Sequence, residues 1–518
     1  MTTFVLLALA AHDHGGHANA ANLKPVALLP GMGKHSLPAS EHPEAQKFFD
    51  QGLNLMYGFN RFEAKRSFEK AAELDPKSEL ARWGVAMSQG PYLNMDMDGY
   101  DMKAYCAALD GLKHRYAVAA RARCGAKGSD AAYIAAMRRS TIAHPDDLDA
   151  QTLLAEALMI PVRWRWFDAR GIAAPGMDEA IRTLENVMRR NPDHPGANHL
   201  YIHAVEMSKT PERAIPASQR LMGIVPGSGH LVHMPGHIWQ RIGDYEMSAS
   251  VNERAAEIDR DYFARTGATH TGYMGYYVHN LHFIASARSM QGRGVDAIVA
   301  AKPVGEAAQQ MVAIMPEMAD IFIPYPWFVM ERFRRWDDLL ALPKPDAKLL
   351  VSTALWHWSR AMALAGQGKD ASEERAAFEK ARLAVPAKRM WMNNPASAVL
   401  GVASDVLKGR TAKTPALAVA AFQAAVAKQD LMKYDEPPDW YYPVRESLGA
   451  ALMRAGRHSE AEFVFRQGLS ETPRNGRLLF GLREALKAQG KQEAAQSVNR
   501  EFEEAWRRAD KKLSIEEM

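Results

Sequence analysis

Seven histidines in the stretch from His194 to Phe283 recur at spacings of three and four. They are His199 and His203, then His230, His233 and His237, then His279 and His282, with Glu206 close behind the first pair. Such spacing places side chains on one face of a helix. A neutral imidazole offers one ring nitrogen to a metal, while the other N–H is fixed by an acceptor behind it. Glu206 is expected either as a ligand or as that acceptor, and Asn280 as a further acceptor. Many imidazoles with few carboxylates suit copper, iron, zinc or nickel rather than magnesium or calcium. More than four histidines suggests two ions, or one ion with bystanders. No GxSxG, P-loop, GxGxxG or HExxH pattern competes with this chemistry.

The elements that must hold these residues follow from a repeat. Residues 45–78 carry Gly52, Ala64, Phe68, Ala71 and Pro76 at positions 8, 20, 24, 27 and 32 of a 34-residue frame. The frame returns at Ala180, Leu184 and Pro192, at Ala214 and Pro226, and at Phe378, Ala381 and Pro386. It appears again at Gly449, Leu452, Ala461, Phe465 and Pro473, and at Gly490 and Ala495. This is the tetratricopeptide (TPR) pattern, so the expected fold class is all-α, a solenoid of stacked helical hairpins with insertions. In that frame His199 and His203, then His230, His233 and His237, then His279 and His282 occupy positions 2, 5 or 9 of three successive first helices, and Glu206 is at position 12. Those positions line the concave groove of TPR proteins. Seven histidines among twelve such places is far above what 18 in 518 residues would give. Pro235 interrupts the middle helix, so that helix is expected to kink or to begin there.

Other candidates are less defined. Tyr276 and Tyr277 lie in an insertion, 263–277, expected as a lid or as core. Trp440 and Arg445 lie within DEPPDWYYPVR, residues 435–445, expected as a loop closing the solenoid or as a ligand contact. Asp149, Glu156 and Arg163 are further possible donors to the same cavity, or surface residues. The expected organisation is a signal peptide over 1–20, an extended segment over 21–42, a TPR block over 43–345 with the histidines, and a second block with its cap over 346–518, joined near Pro343-Lys344-Pro345.

The totals bound the partners. A net charge of +4 over 518 residues offers no polybasic surface for nucleic acid. No segment reaches the ~20 apolar residues of a transmembrane helix. The run FVLLALAA followed by Ala18-Asn19-Ala20 reads as an export signal, which points to the periplasm, with the cytoplasm as the alternative. Cys106 and Cys124 then either pair or are buried singly.

Beyond the generic repeat, SEHPEAQKFFDQGLNLMYGFNRFEAKRSF, HPGANHLYIHAVE, GSGHLVHMPGHIWQRIGDY, YYVHNLHF and DEPPDWYYPVRESLGAAL resemble bacterial relatives of tetratricopeptide repeat protein 38, over roughly residues 25–500. That resemblance implies a fold and no settled reaction. From the residues, a metal-dependent oxidoreductase is slightly favoured over a hydrolase. The alternative is a TPR scaffold that binds a peptide, a small molecule or a partner protein in its groove.

Overall fold

The computed structural model describes residues 23–94, 100–125, 128–313 and 315–518. The expected signal peptide lies outside them. The fold is an all-α array of TPR-like hairpins. Among the described residues the only strands are the two-residue pair Met390–Trp391 and Asn394–Pro395.

The repeat residues do what their sizes require. Helix Pro43–Tyr57 pairs with Arg61–Leu74, and that helix packs on Glu79–Met87. Phe68, fully buried, is clamped between Gly52 and Gly84. A methyl group added at Gly52 would lie 2.8 Å from its ring, and one at Gly84 2.5 Å. Phe465 is held the same way by Gly449 and Gly481. In these two hairpins one aromatic ring, pressed between glycines of two successive first helices, sets the stacking distance. Helix starts are capped as the sequence implies. His42 and His194 each precede a proline, and their Nδ1 atoms accept from the N–H of Ala45 and Ala197.

The chain divides into two compact units, residues 1–238 with 251–280, and residues 239–250 with 281–518. The Pro343-Lys344-Pro345 stretch lies within the second unit, between helices Trp336–Leu340 and Leu350–Gly366.

In the first unit the described part of the N-terminal segment, 23–42, is a strap without regular structure. Lys24 N donates to Thr266 O, Leu29 N to Gln51 Oε1, and Gly227 N to Gly31 O. Asn54 Nδ2 donates to His35 O. The strap thus ties the first helix to the segment after helix Ile215–Ile224 and to the end of helix Tyr245–Thr266. Helix Pro43–Tyr57 also touches Pro195–Glu206, which lies eight α-helices later. The unit closes on itself around the histidines. Cys106 and Cys124 form a disulfide linking helix Met102–Leu109 to the turn after Arg121–Arg123.

In the second unit, hairpins Leu350–Gly366/Ser372–Ala384, Ala396–Arg410/Pro415–Gln429, Arg445–Arg454/His458–Glu471 and Gly476–Ala488/Gln492–Trp506 stack in order. Its core holds Phe328, Trp358, Trp391, Trp440 and Tyr441 in mutual ring contact, with Phe328 and Tyr441 stacked at 4.6 Å.

Candidate metal centre

Four short helical stretches of the first unit supply the site. Helix Pro195–Glu206 carries His199, His203 and Glu206. Gly196 lets it approach helix Pro43–Tyr57 so closely that any side chain there would strike the Tyr57 ring. The middle helix breaks at Pro235 into Gly229–His233 and Pro235–Arg241, so it is the kinked alternative that the chain adopts. Met234 N still reaches His230 O, and His237 N reaches Met234 O, which keeps all three histidines on the inner side. His279 comes from helix Met274–Met290.

Six rings and one carboxylate converge. His199, His203 and His230 form one triad, and His233, His237 and His279 another. Within each, one ring nitrogen per residue lies within 4.8 Å of the others. The groups are buried, from 0% exposure at His199, His233 and Glu206 to 4% at His279. They do not line an open groove, as the repeat positions alone imply, because the closure of the unit covers them.

Hydrogen-bond directions then assign the protons. The Tyr57 carbonyl only accepts, and His199 Nδ1 lies 2.6 Å from it, so that nitrogen carries the proton and Nε2 presents a lone pair. His203 Nδ1 donates to Glu206 Oε1 at 3.0 Å, and His237 Nδ1 lies 2.5 Å from Glu206 Oε2 in ion-pair contact. His233 Nδ1 donates to Asn252 Oδ1 at 2.6 Å. Gly236 makes room for that amide. Every outer nitrogen in this set faces an acceptor, so every inner Nε2 is a lone pair. His233 Nε2 and His237 Nε2 face one another at 2.8 Å, and His199 Nε2 faces His230 Nε2 at 3.2 Å. His203 Nε2 is buried and meets no hydrogen-bond partner. Two lone pairs at 2.8 Å repel unless a cation lies between them. Nitrogens on one tetrahedral ion with ~2.0–2.1 Å bonds lie about 3.4 Å apart, a small outward step from what is seen.

The electrostatics agree. Burial, reinforced by neighbouring imidazoles, holds His199 and His230 well below the usual histidine range. Burial and His237 do the same to His233. Burial alone would raise the Glu206 carboxyl. His237 and His203 outweigh it and bring it down to about 2. A fully buried carboxylate held by rings that resist protonation leaves negative charge for a cation to balance.

Glu206 accepts from two rings and therefore sits behind the nitrogens, the second of the two roles expected for it. Asn280 is not behind a ring. Its Nδ2 donates to Asp259 Oδ2 at 2.8 Å. Burial raises the Asp259 carboxyl to about 7. His282 is not with the other six. It belongs to the second unit, where its ring packs on Tyr325 at 4.0 Å and on Phe322 at 6.0 Å.

Much of 263–277 is helical, with only 267–273 between helices. Tyr273 and Tyr276 are core, at 5% and 3% exposure. Tyr276 lies 4.2 Å from the His230 ring, while Tyr277 is half-buried against Phe263. Trp440 and Arg445 are in the second unit. Arg445 is engaged by Asp430 at 2.7 and 2.8 Å and by Glu471 at 3.0 Å. Asp149, Glu156 and Arg163 are wall residues of the first unit. Asp149 accepts from Tyr57 Oη at 2.6 Å, Glu156 accepts from Leu93 N at 3.2 Å, and Arg163 donates to Tyr100 Oη at 2.8 Å.

Three contributors escape the helical periodicity. Phe59 sits in the turn between the first two helices at φ +56°, a region costly for a side chain of its size, and its ring lies 4.4 Å from His199 and 5.4 Å from His230. Trp164, also at φ +56°, sets its ring 6.1 Å from His203. Asn252 orients His233. His35, Asp149 and His194 form another triad with metal-like spacing. There, however, His194 Nδ1 accepts from Ala197 N, so its Nε2 carries the proton and points at Asp149, 3.4 Å away. His35 Nε2, 2.9 Å from the same oxygen, completes a latch that pins the strap.

No protein-family model matches the chain, and neither does any curated protein. Solved structures similar to it include the APC/C hetero-tetramer Cut9–Hcn1, at 12% identity over 89% of this chain and 73% of that one, with a TM-score of 0.31. The TPR domain of P58(IPK) matches at 11% identity over 86% and 98%, with a TM-score of 0.21. Yeast Tom70 matches at 12% identity over 89% and 92%, with a TM-score of 0.27.

Proposed function

We propose that this chain is a helical-repeat metalloprotein whose first unit binds a pair of transition-metal ions, one per histidine triad. The observation that carries this reading is the facing pair His233 Nε2 and His237 Nε2, each fixed as a lone pair by an acceptor behind it. Donors that are all imidazole nitrogens suit copper, iron or zinc. Three protein ligands per ion leave coordination positions open, the pattern of catalytic rather than structural sites. Two neighbouring ions with open positions favour an oxidoreductase, with hydrolysis by metal-bound water as the other chemistry. The resemblance to relatives of tetratricopeptide repeat protein 38 adds architecture and no reaction. The Cys106–Cys124 disulfide supports an oxidising compartment such as the periplasm.

Elemental analysis of untagged protein tests the reading. Two equivalents of metal are expected, falling to one or fewer in His237→Ala and in His199→Ala with the fold retained. Metal-free protein that takes up no copper, iron or zinc sinks it. A second reading, a scaffold that docks a peptide or partner protein, is favoured by the stacked hairpins themselves, since such arrays present long binding surfaces. Metal-free protein that captures a partner would support that reading alone.

A further inference from the structure

The loop from Asp430 to Val444, in the second unit, forms much of the wall of a half-open cavity of about 520 Å³. Tyr434, Trp440, Tyr441, Asp435 and Asp439 line it. The loop is built rather than slack. Asn394 Nδ2 donates to Lys433 O and to Asp439 Oδ2, and Asn394 Oδ1 accepts from Lys433 N at 2.7 Å. Asn393 N donates to Asp435 Oδ2, and Gln429 bridges Tyr442 O and Val444 N.

Two features are left over from that construction. Asp435 and Asp439 are 8% and 9% exposed and hydrogen-bond to each other, and neither makes an ion pair among the described residues. Burial pushes both upward; Asp435 adds to the push on Asp439, while the hydrogen bond from Asp439 works the other way on Asp435, so the pair holds a shared proton. The nearby Arg445 is already committed to Asp430 and Glu471. The second feature is Trp440, 1% exposed, whose indole N–H meets no acceptor. A cavity of this size suits a small ligand or one side chain with its flanking backbone. Its aromatic wall already accommodates one guanidinium, Arg241, 5.6 Å from the Tyr434 ring.

We infer that this cavity binds an arginine side chain presented by a peptide. The guanidinium replaces the shared proton between Asp435 and Asp439, and a backbone carbonyl of the peptide accepts from Trp440 Nε1. A guanidinium fits two carboxylates better than an ammonium does, because its planar fork donates to both at once. The proton leaves to solvent as the cation enters, so charge balances. This inference does not rest on the metal centre.

The test is calorimetric titration of the full chain with the tripeptide acetyl-Gly-Arg-Gly-amide, and with the same peptide carrying citrulline, its neutral isostere. The arginine peptide is expected to bind at least tenfold more tightly. Proton release should appear when the titration is repeated in buffers of different ionisation enthalpy. Asp439→Asn should weaken binding at least tenfold and Trp440→Phe about three- to tenfold. Equal affinity for the two peptides, no measurable heat with either, or wild-type affinity in Asp439→Asn would overturn the proposal. Should Asp439→Asn fail to fold, the arginine–citrulline comparison on the unmodified chain still decides. Metal content, measured on the same samples, stands or falls separately.

Discussion

In the second unit Arg332 lays two guanidinium nitrogens on the Glu446 carboxylate at 3.1 Å each, and Asn475 Nδ2 adds a third donor at 2.9 Å. In the first unit His233 and His237 turn lone pairs toward each other at 2.8 Å. Both arrangements are buried and both are hydrogen-bonded on their outer sides. The difference lies inside: donor meets acceptor in one, and acceptor meets acceptor in the other. A polar network that serves only the fold is complete within the chain, because an unmatched buried group costs stability with no return. A network with like groups facing inward is complete only with something the chain does not supply. By that criterion the histidine triads and the Asp435–Asp439 pair stand together, and Arg332–Glu446 stands apart.

The largest effect should come from breaking the complete network. Arg332→Ala strands the Glu446 carboxylate and is expected to cost about 3–5 kcal/mol in denaturant unfolding. Substitution in the incomplete network should do the reverse of what its burial suggests. Metal-free His237→Ala should lose far less than that, because it removes a repulsion. The holo-protein should gain about 2.7 kcal/mol at a free-metal concentration a hundred times the dissociation constant, a gain that chelation reverses and His237→Ala lacks. Glu206→Gln keeps the shape but weakens the acceptor behind His203 and His237. Metal affinity should fall about 10–100-fold by competition with a calibrated chelator. Gly84→Ala, remote from both networks, presses on Phe68 and should cost about 1–3 kcal/mol while metal affinity stays as it was.

At neutral pH the smallest effect is a pH dependence. Burial brings His282 down to about 3, whereas in the unfolded chain it titrates near 6.5. Its contribution is therefore complete above pH ~6.5 and is lost as pH falls toward 3, by about 1.4 kcal/mol per unit. His282→Phe should flatten that part of the stability profile. An unchanged slope would mean that other groups set it.

The repeat was legible because hairpin stacking is a local matter: Gly52 and Phe68, or Gly449 and Phe465, announce it within one frame. Six of the seven histidines were legible for the same reason. His282 was not: helix Met274–Met290 passes from the first unit to the second after Asn280, and no spacing in the sequence marks that boundary. What closes the site was invisible. Phe59 gives no periodic signal, Asn252 reads as any polar helix residue, and the strap meets its partners some 20 to 240 positions away. Long-range contacts of that kind leave no spacing in the sequence. The second role for Glu206, by contrast, could be weighed beforehand, since a carboxylate three residues after a histidine reaches that ring's own nitrogen.

The strap has a kinetic meaning as well. Gly31 is pinned to Gly227 and His35 is held at Asp149, in a unit whose six converging rings are 0–4% exposed. On the proposed metal-binding reading, loading then accompanies maturation or awaits a breathing motion. The rate at which a chelator strips the protein would track how often residues 23–42 lift away, whatever the tightness of the coordination bonds beneath them.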